Sequence, residues 1–515
     1  MPTPSRGPVA LLLSAVLALA VTAAAYAVPG PATPIPEGPD GGAAAAYLGA
    51  PVKARPIHQA SFAPRHPFMA ANGRSNLHND AYQSDAGPQR GPLGRSPEVT
   101  SNFFSQECAS HTFDRAGRLL TVCVGVTDVT LRMLDARTLD VLAEYSLPPR
   151  QPSSTPFSSF GGGGYFYLDQ RDRVVVPTSQ GTIDVVREAG TKDAPTFELA
   201  RSYDVSAAVG GSLILSALPD WHGRLWFVTG AGVVGTVARH SGRVRSTDLH
   251  EKIGNSFAVD ETGGVVVVSD AALYRFQARH GRPVVTWRRT YDHGDRQKPG
   301  QTQVGSGTTP TLVVRGGKRY VAITDNADPR MHVLVYRIGH PRPVCRMPVF
   351  AKGKSDTDNS LIAFGSSIVV ENNYGYTGPQ EQPPASTPAR QTPTTQPGVT
   401  RVVVDYRHGG CRTAWTAKVR VPTSVSKAST RTGLVYVYEH PSADEVTYPG
   451  GQPLSGPQDP WYLTALDART GARRWSVRTG SGLGFNNNYA PITLGPDGTA
   501  YVGVLGGILS VRDSR

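Results

Sequence analysis

The sequence is short of charge, cysteine, methionine and long apolar runs. Charged residues make up 18% of the 515 positions, while glycine (56) and proline (43) are plentiful. That balance argues against long solvent-laced helices and suits short strands joined by turns. After Ala27 no apolar stretch reaches spanning length. There is no G-x-S-x-G elbow, no zinc-type Cys/His spacing and no Walker loop, so three common catalytic signatures are missing. The net charge is +12 and the pI about 9.6. No basic run with interleaved aromatics accompanies it, so nucleic acid is not an expected partner. Arginine outnumbers lysine and is scattered, a pattern of GC-rich codon usage, with weak attraction to an anionic cell wall as the second reading.

What is present begins with an address. Arg6 precedes the apolar run Val9–Ala20, and Ala25-Tyr26-Ala27 fits a small-x-small cleavage site. Residues 1–27 are read as a signal peptide and the protein as secreted. The alternative is an uncleaved membrane anchor, because Val9–Ala27 approaches spanning length. No Cys follows the cleavage site, which argues against a lipoprotein. Export makes the four Cys candidates for disulfides. Cys108 and Cys123 flank the turn Asp114–Gly117. If Phe113 pairs with Arg118, the two Cys fall directly opposite each other, at a spacing a disulfide can bridge. Cys345 and Cys411 remain as the second pair by elimination.

Residues 28–95 are rich in Pro, Gly, Ala, Ser and Asn and read as a linker and wrapping arm. From 96 to 515 one unit recurs, a polar turn followed by a β-branched strand. The turns Asp114–Gly117, Asp169–Asp172, Asp220–Gly223 and Asp260–Gly263 are followed by Arg315–Lys318, Phe364–Ser367, Thr430–Gly433 and Pro496–Gly498. Eight such hairpins at a period of roughly 40 to 65 residues predict an all-β, eight-bladed β-propeller. The last unit has only three strands, ending near Ser510–Arg512. Glu98–Phe104 is expected to pair beside Ile508–Val511, so that N- and C-terminal strands close the ring and leave no open sheet edge. A monomer is expected.

The run 461–512 carries Leu463-Thr-Ala-Leu-Asp-Ala-Arg-Thr-Gly-Ala-Arg-Arg-Trp475 and Asp497-Gly-Thr-Ala-Tyr-Val-Gly503. It resembles the repeats of the quinoprotein alcohol dehydrogenase-like propellers, the pyrroloquinoline quinone (PQQ) type. The whole chain also looks like an exported actinobacterial family. The resemblance implies a propeller and, for the enzymes of that superfamily, a PQQ-dependent oxidoreductase. Those enzymes typically carry an adjacent Cys-Cys pair near the cofactor, and this chain has none. The docking-type Trp is absent from most blades.

In a propeller, loops after second strands and leads into inner strands share one face, here called the mouth face. That reasoning gathers Asp325, Asn326 and Asp328 after the second strand of blade 5 and Glu371, Asn372, Asn373 and Tyr374 after that of blade 6. Asn486, Asn487, Asn488 and Tyr489 lead into blade 8. Amide groups beside a tyrosine suit a hydroxyl-rich ligand, whereas Asn alone also serves tight turns. The inner-strand leads Asn255-Ser256, Gly305–Thr309, Asp358–Ser360 and Ser426-Lys427 are candidates for the funnel lining. Asp325, Asp328 and Glu371 are candidate ligands for a shared ion, Ca²⁺ being the natural choice for oxygen donors. Proline-rich insertions at 377–398 and 440–460 fall on the same face. The leading functional reading is an exported binding protein, for a cell-surface glycan or an extracellular protein. A quinone-dependent oxidoreductase and a metal-assisted hydrolase or lyase are the alternatives.

Overall fold

The computed structural model describes residues 47–59, 62–151, 161–376, 378, 395–441 and 460–514. The signal-peptide segment and most of both insertions lie outside these residues. Among them, eight sheets are present, seven built around four sequential strands and one around three sequential strands with a fourth from far upstream. Blade 1 runs from Glu107–Phe113 to Val141–Leu147, blade 2 from Tyr167–Leu168 to Pro195–Asp204, and blade 3 from Ile214–Pro219 to Val244–Asp248. Blade 4 runs from Ala258–Val259 to Arg282–Thr290, blade 5 from Thr311–Arg315 to Pro343–Pro348, and blade 6 from Ile362–Phe364 to Cys411–Ala417. Blade 7 runs from Lys427–Ser429 to Arg473–Ser481. Blade 8 consists of Ile492–Leu494, Ala500–Val504 and Gly507–Asp513, completed by Pro97–Phe103.

That last pairing is antiparallel, with Val99 opposite Val511 and Asn102 opposite Ile508. The ring is therefore closed by the strands expected to close it. The Asp513 carboxylate reinforces the join by accepting the amides of Leu93 and Arg95, both at 2.8 Å.

Burial follows strand position. The second strand of blade 4, Val265–Val268, is buried along its whole length. A strand in the middle of a blade has neighbouring blades on both faces, so its apolar run is continuous rather than alternating. Outer strands meet solvent on one side, and Val141–Leu147 alternates accordingly. The apolar core lies between blades: Ile183, Trp226 and Phe257 of blades 2, 3 and 4 belong to one cluster. At the rim, the indole N–H of Trp287 donates to the His340 carbonyl and that of Trp415 to the Ala468 carbonyl, each reaching the next blade.

The hairpin turns share a chemical device. Asp169 accepts the amides of Arg171 and Arg173, Asp220 those of His222 and Arg224, and Asp260 those of Thr262 and Gly264. A short acidic side chain that satisfies turn amides explains why these positions are Asp. Asp220 also accepts from the buried Trp226 indole at 2.8 Å.

Both cysteine pairs are disulfides, and no described cysteine is free. Cys108 and Cys123 sit directly opposite in register. Cys345 and Cys411 join the outer strands of blades 5 and 6. Such bonds belong to an oxidising, extracytoplasmic compartment. No helix among the described residues is long and apolar enough to cross a membrane.

Within the segment 62–95, residues 75–87 run buried inside the ring. Ala70 donates to the Leu168 carbonyl in blade 2 at 2.8 Å. The carbonyls of Ala81, Tyr82, Ser84 and Asp85 then accept the inner-strand amides of Val259, Leu312, Ala363 and Ala428, in blades 4, 5, 6 and 7, at 2.8 to 3.0 Å. Ala86–Gly87 pairs in parallel with Ala428–Ser429. Farther out, Tyr47–Gly49 adds a strand to the outer edge of blade 7.

Candidate functional site

A cleft of about 360 Å³ opens at the centre of the mouth face. Leads into inner strands form its wall, as Asn255, Thr309, Asp358, Asn359 and Ser360 all line it. Tyr165 precedes blade 2 and Tyr489 precedes blade 8, and both line it too. His78 of the threaded segment contributes the floor, which makes the cleft blind.

The wall is tied together by hydrogen bonds. The Tyr165 hydroxyl donates to Asn255 Oδ1 at 2.5 Å, and Asn255 Nδ2 donates to the Asp358 carbonyl at 3.2 Å. Asp358 Oδ2 accepts the Thr302 amide at 2.6 Å, while Oδ1 has no hydrogen-bond partner among the described residues. Burial pushes the Asp358 carboxyl up to about 6 against the opposing Thr302 bond. Behind it, Asp356 is buried with both carboxyl oxygens unpartnered. Burial raises it well above the usual carboxylate range, the Asp358 charge adds to the shift, and Lys298 opposes it.

The floor holds a buried ionic network. Lys427 pairs with Asp85 and donates to the Leu77 carbonyl. His78 Nδ1 lies 2.9 Å from Asp85 Oδ2, and Ser360 donates to the same oxygen. Burial alone would push the Asp85 carboxyl up; His78 and Lys427 more than offset that and hold it below its ordinary value. Burial lowers the Lys427 ammonium despite Asp85.

The residues singled out from the sequence form three braced loops around this cleft. Asp325 lies 2.9 Å from His332 Nδ1, and Asn326 Nδ2 donates to the carbonyls of His293 and Arg296. Asp328, half-exposed, pairs with Arg296 and Lys298. Glu371 accepts from Asn359 Nδ2 at 2.9 Å, and burial pushes its carboxyl up to about 8 against bonds from Ser426 and Asn359. Asn372 Nδ2 donates to the Lys354 carbonyl, and Asn373 Oδ1 accepts from Thr357 and the Asp358 amide. Tyr374 is half-buried beside them. Asn487 Nδ2 donates to the carbonyls of Ala490 and Gly503, and Asn488 Nδ2 to Glu107. The Tyr376 hydroxyl donates to Asn488 Oδ1 at 2.8 Å and reaches Asn486 at 3.3 Å. The Pro299-Gly300 segment joins the blade 6 and blade 8 loops: the Pro299 carbonyl accepts the Gly375 amide, and that of Gly300 accepts the Tyr489 hydroxyl.

Of this set, Tyr489 lines the cleft; the asparagines are buried and bonded within the loops. Asp325, Asp328 and Glu371 have separate partners, and among the described residues no group of three or more His, Cys, Asp or Glu is arranged to hold a metal ion. A tricarboxylate such as PQQ is poorly matched to a lining that sets Asp270 and Asp358 against a single lysine, Lys252, with Asp356 buried behind Asp358. Tyr165 and His78 carried no repeated signal in the sequence. Tyr165 follows a glycine run and leads into the inner strand of blade 2, as Asn255 leads into that of blade 4, a cue legible only once the blades are aligned.

No protein-family model matches the chain. It is 28% identical over 338 residues to an uncharacterized protein of Archaeoglobus fulgidus, a match covering 61% of this chain and 63% of that protein. The chain therefore spans less than two thirds of that relative's length. A streptogramin B lyase structure is similar at TM-score 0.40 and 9% identity, over 81% of this chain and 98% of that one. The Dos1 propeller is similar at TM-score 0.37 and 10% identity, over 82% and 94%. Neither likeness bears on activity. The strand pairing itself establishes an all-β, eight-bladed propeller whose central cleft is floored by its own N-terminal segment.

Proposed function

We propose that the mouth-face cleft binds a small hydroxyl-rich ligand, such as the end of a cell-surface glycan, and that the protein is a secreted binding propeller with no catalytic step. The observation that carries this reading is the meeting of Tyr165 and Tyr489 with Asn255, Asp358 and Thr302 around one blind cleft. Tyrosine offers an apolar plate with a hydroxyl, and amide and carboxyl groups offer paired donors and acceptors. A carboxyl raised to about 6 is partly protonated near neutrality and can donate as well as accept. Tyr489 is held at φ 69°, a left-handed conformation that a bulky residue adopts only where its surroundings impose it, as at binding sites.

The test is a melting scan with a panel of neutral oligosaccharides, followed by the same scan on Gln303→Ala. Gln303 lines the cleft and belongs to no strand. The reading expects at least one oligosaccharide to raise the melting point and the variant to lose that rise with its ligand-free melting point nearly unchanged. A panel without effect, or a rise that survives in Gln303→Ala, rejects it.

A further inference from the structure

On the opposite, turn face, a second cleft of about 640 Å³ lies between blades 2 and 3. It is far richer in cationic groups than the first. Arg171 and Arg173 of the blade 2 hairpin turn, Arg201 of its outer strand, and Arg224 and Arg239 of blade 3 all line it. No carboxylate is among the lining residues. The acid that serves them is Asp169, fully buried, which Arg173 grips through Nε and Nη2 at 2.8 and 2.5 Å and which lies 3.9 Å from Arg239. Arg171, Arg201 and Arg224 form no ion pair among the described residues. The Arg224 guanidinium turns away to Gly281 of blade 4, so four guanidinium groups serve the cleft, those of Arg171, Arg173, Arg201 and Arg239, with a single carboxylate beneath them.

The guanidinium groups are also held in place. Arg201 stacks over the Tyr203 ring at 4.6 Å and donates to the His240 carbonyl at 2.8 Å. Arg239 lies over the Phe68 ring at 5.4 Å, and its carbonyl accepts the Tyr203 hydroxyl at 2.9 Å. Stacking and backbone bonds fix the planes of these forks before any ligand arrives, which is the arrangement that recognises planar or tetrahedral oxyanions.

We infer that this cleft is an oxyanion-binding site for an acidic saccharide, a sugar bearing carboxylate, sulfate or phosphate groups. It is separate from the mouth-face cleft and does not depend on the function proposed for it. Guanidinium groups already cover the Tyr203 and Phe68 rings, which leaves less aromatic face on which nucleic-acid bases could stack. Gln170 and Ser241 line it as neutral partners for hydroxyls. Its volume is within the range of pockets that enclose a small ligand. The disulfides place the protein where polyanionic glycans are met outside the cytoplasm.

The test is titration calorimetry of the full protein at low and at physiological salt. Its probes are trigalacturonate, a heparin tetrasaccharide, maltotriose, an oligo-dT and polyglutamate. The inference expects an acidic saccharide to bind, more weakly at higher salt. Arg171→Ser/Arg201→Ser should weaken it by at least about tenfold. Arg407→Ser/Arg412→Ser, the same charge change in a groove between blades 5 and 6, should leave it unchanged. If the first double variant does not fold, Arg171→Ser, exposed on the cleft rim, should weaken binding in the same direction. Equal loss in both double variants would reduce the effect to net charge and overturn the site. So would oligo-dT or polyglutamate binding as tightly as the acidic saccharides, maltotriose binding that the cleft variant weakens equally, or no acidic saccharide binding at all.

Discussion

Glu371 shows what burial does to a single side chain. It ionises near 4.5 when unfolded, whereas burial in the fold pushes it up to about 8. Folded protein therefore keeps a proton that unfolded chain gives up, and its stabilising share is complete below 4.5 and lost as pH rises through 8. Asp358 and Asp80, each raised to about 6, act in the same direction over a lower window. Burial lowers His66 and His111 to about 3; they remain neutral when folded and subtract stability as pH falls below 6.5. Between pH 6.5 and 8 the histidines are silent and Glu371 contributes, joined by Glu107 and Asp356, which are raised as well. The melting point should fall across that interval, and the fall should be shallower in Glu371→Gln. Identical slopes in scans at half-unit pH steps would remove Glu371 from the account. The same residue shows where sequence reading stops. Its place at the end of the second strand of blade 6 was legible from strand order to within a residue, but not whether its carboxyl turned to the funnel or to Asn359 and Ser426. The asparagines of both Asn-Asn-Tyr runs present the same problem: the loops they occupy were legible, the direction of their amides was not.

Among the elements, the hairpins were the most legible, because each repeats a polar turn and a β-branched strand within a short window. The Asp side chains at Asp169, Asp220 and Asp260 make the turn from local amides alone. Cys108 and Cys123 could be paired from their closeness to one turn, but the expected register was off by one: Phe113 pairs with Leu119 rather than Arg118, and a bulge between Cys108 and Ser110 brings Cys108 opposite Cys123. Cys345 and Cys411 could not be paired in that way, since their meeting depends on how two blades pack. That difference has an energetic counterpart. The first bond closes a separation of 15 residues and the second one of 66. On the chain-entropy model the two are worth about 3 and about 4 kcal/mol. Cys345→Ala/Cys411→Ala should therefore lower the denaturant midpoint more than Cys108→Ala/Cys123→Ala. A larger loss from the second variant would mean that strand packing, not loop closure, sets their contributions.

For the molecule as a whole, ring closure was readable because a three-stranded end demands a fourth strand. The threading of 75–87, within the segment 62–95, was not. Its composition is that of a linker, and its partners, from Leu168 to Ala428, are far away in the chain. Nothing local to Asn79 or Asp85 announces a turn inside a channel. The consequence is testable without removing anything. A site-specific protease sequence placed between the exposed residues Arg95 and Ser96 allows the segment to be cut from the ring after folding. The two pieces should co-elute on gel filtration under native conditions and separate in denaturant. Separation under native conditions would show that the covalent link, rather than the channel contacts, retains the segment.

Seen this way, the N-terminal segment behaves as a tethered ligand of its own ring. Its carbonyls are read by four successive inner strands, and its Asp85 is neutralised by a lysine from blade 7. The tether supplies a high local concentration and so removes the entropic cost of finding a partner. It also imposes an order of assembly: the residues that fill the channel are made before the blades that hold them, and they have no complete binding site until blade 7 exists.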